Sequence, residues 1–208
     1  MNQIIFLDTN VILDYIENRN QEVRDIIAQL LLFHENDKIV LATSVFNISE
    51  LIDKEFEIHY IGNLLSEKLS YDEILKQKSN KKQFRGVAMK NKGKIEKKIK
   101  NFIFGKKIEI LTLLISNIEN GNTEINEKEN KSYEELYDLI YNYQFSSQDA
   151  LIIASALSNK VTYFLSNDGD IINQINNNNL MYAFNLRDQG DRKHFKNNFL
   201  DTLADTLI

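Results

Sequence analysis

The stretch QIIFLDTNVILDYI, residues 3–16, decides how the chain is read. Ile4-Ile5-Phe6-Leu7 is an unbroken apolar run, which predicts a strand covered on both faces rather than one with a wet side. It stops at Asp8-Thr9-Asn10, and Val11, Ile12, Tyr15 and Ile16 then share one helical face. The pattern is strand, polar turn, helix. Asp14, one turn beyond Asn10, is expected on the exposed side. A carboxylate at the end of a buried strand is ordinary by itself, since an acid there also serves as a helix N-cap. It gains meaning only if the other strands end in the same way.

Three further strands are predicted, at Lys38–Ala42, Val161–Leu165 and Leu180–Phe184, each β-branched or aromatic and each bounded by turn or helix signals. Helical periodicity covers Val23–Leu31, Val45 to about Leu69, Ile108–Ile118, Tyr133–Tyr141 and Asp149–Leu157, and a terminal helix is expected in the last 20 residues. Gly121–Lys131 is expected to be a loop. Strands separated by helices give an α/β fold with a central, mainly parallel sheet and right-handed crossovers. Ligands of such sheets bind beyond the carboxyl ends of the strands.

Acids recur at those places. The second strand is followed by a helix that carries Glu50 about two turns in. The third runs into Ser166-Asn167-Asp168-Gly169-Asp170, and the helix before it opens with Ser147-Gln148-Asp149. Gathered carboxylates repel one another, raise one another's pKa values and cost stability. A hard divalent cation is the usual reason to gather them, because Mg²⁺ takes oxygen ligands and is commonly held by one or two carboxylates, water and substrate phosphate. Asp8, Glu50, Asp149, Asp168 and Asp170 are the candidate metal ligands, the first four also the candidate catalytic acids. Thr9, Asn10, Ser166 and Asn167 are expected to orient them by hydrogen bonds. His34, His59 and His194 match no motif and are read as surface or packing residues.

Four stretches in this order resemble PIN-domain nucleases, the superfamily of the VapC-like toxin ribonucleases. IIFLDTNVILDYI is similar to their opening, SVFNISELI to their second motif with Glu50 as its acid, SSQDALIIASAL to their third with Asp149, and VTYFLSNDGDI to their fourth with Asp168 and Asp170. The matches cover roughly residues 1–55 and 145–185. The resemblance implies a Rossmann-like sheet, a phosphodiesterase dependent on Mg²⁺ or Mn²⁺, and RNA ahead of DNA as substrate. It also implies an antitoxin protein as partner if the chain is the toxin of such a pair, and leaves a homo-oligomer open. The compact toxins lack a stretch like 70–145, read here as a basic, mostly helical insertion in a single domain spanning 1–208.

That insertion dominates the charge pattern. The 208-residue chain carries 25 Lys and Arg against 30 Asp and Glu, a net charge of −5. Thirteen of the basic residues and a single acid, Glu96, fall in residues 76–107, leaving 12 basic and 29 acidic residues elsewhere. A basic block in an acidic frame suits a polyanion or an acidic protein tail, and also a merely solvated helix face. Lys81, Lys82, Arg85, Lys97 and Lys98 are its candidate nucleic-acid contacts, and Gly86, Gly93 and Gly105 its candidate breaks. There is no Cys, hence no disulfide and no thiolate metal site. No apolar run approaches the roughly 20 residues that span a bilayer, and Met1-Asn2-Gln3 has neither the basic flank nor the cleavage site of a leader. A cytoplasmic protein without membrane association is therefore expected. Two other classes fit parts of the pattern. A haloacid-dehalogenase-like phosphatase also starts with strand and Asp, but needs a second Asp two positions on, where this chain has Asn10. A non-catalytic module that binds nucleic acid or a partner through the basic block needs none of the acids.

Overall fold

The computed structural model describes residues 2–78, 81–113 and 127–204, with the side chains of 78, 81–89 and 127–133 outside the description. Five parallel strands form one sheet in the order β3-β2-β1-β4-β5. They are β1 (Gln3–Leu7), β2 (Ile39–Ser44), β3 (Glu109–Leu111), β4 (Tyr163–Ser166) and β5 (Tyr182–Asn185). The chain is α/β with a Rossmann-like sheet flanked by helices, as the alternation of apolar runs and helical periods implies. β1 is the middle strand, hydrogen-bonded to β2 on one side and β4 on the other. That position explains its unbroken apolar run: Ile5, Phe6 and Leu7 are fully buried. Phe6 stacks on Phe164 of β4 with ring centroids 5.0 Å apart and planes at 8°.

The helices are α1 (Thr9–Ile16), α2 (Gln21–Glu35), α3 (Val45–Ser66), α4 (Tyr71–Lys78), α5 (Lys81–Ile103), α6 (Glu127–Tyr141), α7 (Ser147–Ser158), α8 (Gly169–Asn177) and α9 (Gln189–Phe195). A π-helical turn (Lys196–Leu200) and α10 (Asp201–Ala204) follow. α2, α7 and α8 lead into β2, β4 and β5 through one device. The residue after each C-cap is left-handed, at Asp37, Lys160 and Asn179. Its N–H bonds back to His34, Leu157 or Asn176, and the next N–H to Phe33, Ala156 or Ile175. These paired bonds satisfy the orphan carbonyls of the last turn and swing the chain into the strand.

The chain divides into two compact units, Met1–Asn47 with Ile108–Ile208, and Ile48–Lys107. The first holds the whole sheet; the second contains most of α3 with α4 and α5. The inserted unit thus begins earlier and ends earlier than the 70–145 expected from sequence. Tyr60 and Leu64 of α3 pack with Ile74 of α4, which ties α3 to the insertion. Leu136, Leu139 and Ile140 of α6 pack with Ala150, Ile153 and Ala154 of α7 in the core beside the sheet, which returns α6 to the first unit.

Three local expectations are corrected. Ile108–Ile118 has a helical period in sequence, yet its described part contains β3, paired with β2 through Ala42↔Glu109 and Ser44↔Leu111; residues 114–118 lie outside the described residues. Three residues show no period, and the free edge of β2 decides their state. The expected loop Gly121–Lys131 is already helical from Glu127, and 121–126 lie outside the described residues. Gly86 and Gly93 do not interrupt α5. Among the described residues no helix is long and apolar enough to cross a membrane.

Candidate active site at the carboxyl edge of the sheet

With all strands parallel, every carboxyl end lies on one edge, and β1 and β4 are the pair between which the strand order reverses. From β1 the chain builds outward through β2 and β3, then returns to the other flank as β4 and β5. The crevice at such a reversal is where open α/β sheets bind ligands. Asp8 and Ser166 stand there, one at the end of each strand.

Asp8 occupies the N-cap position of α1, but its side chain makes no capping bond. The residue is 4% exposed and its carboxylate turns inward. Oδ1 accepts from Nδ2 of Asn47 at 2.8 Å, and Oδ2 accepts from the Ser166 hydroxyl at 2.6 Å. The Asp8 N–H donates to the Leu165 carbonyl at 3.0 Å, fixing the backbone to β4. Asn47, fully buried, is held in turn: its Oδ1 accepts from Ser44 Oγ at 2.5 Å, and its Nδ2 also reaches Thr9 Oγ1 at 3.1 Å. Ser166 Oγ accepts the Asp168 N–H at 3.0 Å. Burying a carboxylate is costly unless hydrogen bonds replace its water, and each of its oxygens accepts one here.

Helices α1, α3, α7 and α8 begin at this edge. α1 and α8 leave the ends of β1 and β4 directly, and α7 feeds β4 through its tight turn, so its start lies toward the carboxyl edge. The partial positive charge of each N-terminus favours the acids placed there. Asp168 is the N-cap of α8: its Oδ1 accepts from the N–H groups of Asp170 and Ile171 at 3.0 and 3.3 Å. Asp149 sits in the first turn of α7, where Oδ2 accepts from the Ser146 hydroxyl at 2.6 Å while Ser146 Oγ caps the Asp149 N–H at 3.2 Å. Asp170 is exposed in the first turn of α8. Glu50 lies on α3 in the second unit, one turn after Asn47. The structure therefore joins Asp8, Thr9, Ser166 and the backbone of Asp168 in one network. Asp149 and Asp168 also stabilise helix starts. Asn10 is partly buried in the first turn of α1.

Sequence reasoning missed four residues. Asn47 lies within one of the four motifs, but a neutral residue gives little signal beside the acid three positions later. Ser44 is a small neutral residue between strand and helix and gives no signal of its own. The third and fourth are Asp14 and Arg187. Asp14 is not on the exposed side of α1 but wholly buried. Arg187, two residues beyond β5, grips it with Nε to Oδ2 at 2.9 Å and Nη2 to Oδ1 at 2.7 Å. Asn167 Nδ2 adds a third bond to Oδ2 at 3.0 Å. The hydrogen bonds it donates to Asp14 hold the guanidinium above its ordinary pKa, against a smaller opposing effect of burial. The sequence signal for Arg187 is its place just past the carboxyl end of the last strand.

Among the described residues, no group of three or more His, Asp or Glu stands in the arrangement of a metal centre. The oxygen donors at this edge nonetheless suit one hard cation that draws its remaining ligands from water and phosphate. A carboxylate oxygen can accept at two lone-pair sites, so a hydrogen bond to Asp8 does not bar it from a cation. The buried amide oxygen of Asn167 has no hydrogen-bond partner among the described residues.

Residues 81–107 of the basic block form α5 and the turn after it, and residues 76–78 end α4. Lys90, Lys92, Lys94 and Lys97 line its described part, Lys90, Lys92, Lys94 and Lys100 being largely exposed and Lys97 on the same helix between them. Lys98 is not simply presented to solvent: its ammonium donates to Glu55 Oε2 at 2.9 Å, and the Glu55 side chain is fully buried. Lys100 pairs with Glu96 at 2.6 Å, a contact that holds the Glu96 carboxyl below its usual range. The side chains of Lys81, Lys82 and Arg85 lie outside the described residues. Compared with known proteins, the chain matches no family model, no curated protein and no solved structure.

Proposed function

We propose that the chain is a nuclease that hydrolyses phosphodiester bonds with the help of Mg²⁺ or Mn²⁺, with RNA the first substrate class to test. One observation carries the reading: a carboxylate, Asp8, is buried at the strand reversal of a parallel sheet and is fixed by two neutral donors, Asn47 and Ser166. A buried charge needs a reason, and the place is where this class of sheet takes its ligands. The resemblance of four ordered motifs to PIN-domain nucleases supplies the reaction class.

In this reading Asp8 is the anchor of the cation. Asn47 and Ser166 fix its orientation by neutral hydrogen bonds. Asp168 spends Oδ1 on its helix, and its Oδ2 makes no hydrogen bond among the described residues. The N-termini of α1, α7 and α8 offset repulsion between the acids and favour an approaching phosphate. A bound divalent cation polarises a phosphoryl oxygen and makes water more acidic. α5 supplies the cationic surface that a chain of net charge −5 otherwise lacks. A toxin role with an antitoxin partner belongs to the same proposal.

The test is a three-way comparison on the purified chain. Labelled RNA and DNA oligonucleotides and a small phosphate monoester are incubated with Mg²⁺, Mn²⁺ or EDTA. Internal cleavage of RNA that EDTA abolishes is expected. Release of phosphate from the monoester would support the phosphatase instead. Binding without cleavage in either metal would support a non-catalytic module.

A further inference from the structure

We infer that Arg187 is an anion subsite at the carboxyl edge, positioned by buried Asp14 to take a phosphate oxygen of the substrate beside the Asp8 site. The inference rests on the nuclease reading for the identity of that anion. Its own basis is the geometry of the Arg187 pair.

A guanidinium has five N–H groups in a planar fork. Arg187 commits one side of that fork, Nε and Nη2, to the two oxygens of Asp14. Among the described residues it makes no other side-chain hydrogen bond, so both N–H groups of Nη1 and the outer one of Nη2 are left. The outer N–H groups of Nη1 and Nη2 form the end-on edge, a second fork that matches two oxygens of a phosphate. The burial is lopsided. The Asp14 side chain is 0% exposed and that of Arg187 is 50% exposed. The carboxylate is wholly enclosed, while half of the arginine side chain faces solvent.

A tie between α1 and the end of β5 needs nothing of that kind, because a wholly enclosed pair would serve as well. Asn167 strengthens the arrangement by holding Oδ2 of the same carboxylate, so the arginine rests on a fixed base and is pre-organised. The location fits the assignment. β1, β4 and β5 are adjacent in that order, so the ends of β1 and β5 lie roughly 10 Å apart, two strand spacings. The Leu186 N–H bonds to the Ser166 carbonyl at 3.0 Å, which joins the arginine's segment to the strand end that holds Asp8. A nucleic-acid strand laid along this edge offers one phosphate to each place.

The experiment measures binding of a single-stranded RNA oligonucleotide in EDTA, where nothing is cut, across a range of salt. Arg187→Gln should lower affinity roughly tenfold, the worth of one charge-assisted contact. It should also make the slope of log K against log salt shallower by about 0.7. Because removal of the arginine leaves Asp14 buried without its cation, a second measurement uses the unaltered chain. Its Arg187 guanidinium NMR signals should shift saturably with the oligonucleotide, while those of Arg192, which donates to the Leu186 and Arg187 carbonyls, stay in place. A chain that cuts RNA with Mg²⁺ or Mn²⁺ while its Arg187 signals stay still and the Gln variant keeps its salt slope overturns this inference and leaves the nuclease reading intact. Binding through Arg187 without cleavage in any metal does the reverse. No binding at all overturns both.

Discussion

Asp8 and Asp14 are two buried carboxylates six residues apart, stabilised in different ways. Asp8 has neutral donors; Asp14 has an arginine. Removing a donor from Asp8 leaves a charge short of a hydrogen bond, so Asn47→Ala should cost about 2 kcal/mol. In the Asp8→Asn background the same change should cost clearly less, since the charge is gone. A double-mutant cycle read by urea unfolding checks this, and equal costs in both backgrounds would show that Asn47 serves packing alone. For the second pair the burial predicts an asymmetry. Arg187→Ala strands a fully buried anion and should cost about 3 kcal/mol or more. Asp14→Ala leaves an arginine that is already half in water and should cost markedly less. Equal destabilisation by the two variants would contradict the account. Asp8 is legible in the sequence because its carboxylate interrupts an apolar strand. Asp14 is not: a charged residue on a helix is read as solvated by default, and the partner that reverses this lies 173 positions away. Asn47 carries no charge, and so gives no signal to weigh against the neighbouring Glu50.

At the scale of elements, the chain stops α2, α7 and α8 without glycine. Lys160 and Asn179 occupy left-handed positions at φ 55° and 52°. A Cβ is penalised there, by roughly 1 kcal/mol for an ordinary residue and less for asparagine. Lys160→Gly should therefore raise the melting temperature, and Asn179→Gly should raise it less. A lower midpoint for Lys160→Gly would show that its side chain contributes more than its backbone costs. The start of α4 gives a pH prediction. Glu73 accepts from both the N–H and the hydroxyl of Ser70, at 2.8 and 2.7 Å, and these bonds hold its carboxyl below the usual 4.5, the hydroxyl bond contributing most. A depressed folded pKa means that the contribution is full above the ordinary carboxylate range and disappears as pH falls through the folded value. Amide exchange at the first turn of α4 should show weaker protection at low pH in the wild type, and weak protection at all pH in Ser70→Ala. A pH-independent wild type would contradict the cap. Four of the five strands are legible because each is a β-branched or aromatic run with punctuation at both ends. β3 is not, because Glu109-Ile110-Leu111 is a strand only by virtue of the edge it pairs with.

For the whole molecule, charge and fold divide the work. The sheet unit carries buried Asp8 and Asp14, and the inserted unit carries the lysines of α5. Replacing Lys90, Lys92, Lys94 and Lys97 with Gln should weaken RNA binding and flatten its salt dependence, by up to about 0.7 in slope for each phosphate that is no longer neutralised. An unchanged slope would make α5 a solvated face. The basic block and its helical character are legible from composition. Its boundaries are not, since they depend on α3 packing with α4 rather than on any break in the sequence. The central claim is that the buried carboxylate at the strand reversal cuts phosphodiester bonds, and cleavage of RNA by the wild type and by Asp8→Asn, both folded and both in Mn²⁺ and then EDTA, tests it most directly. The account predicts that the wild type cuts only with the metal and that the variant, nearly identical in shape, is slower by at least a factor on the order of a hundred, roughly 3 kcal/mol of transition-state stabilisation. Cleavage by Asp8→Asn at the wild-type rate, or no cation-dependent cleavage by the wild type, would contradict it.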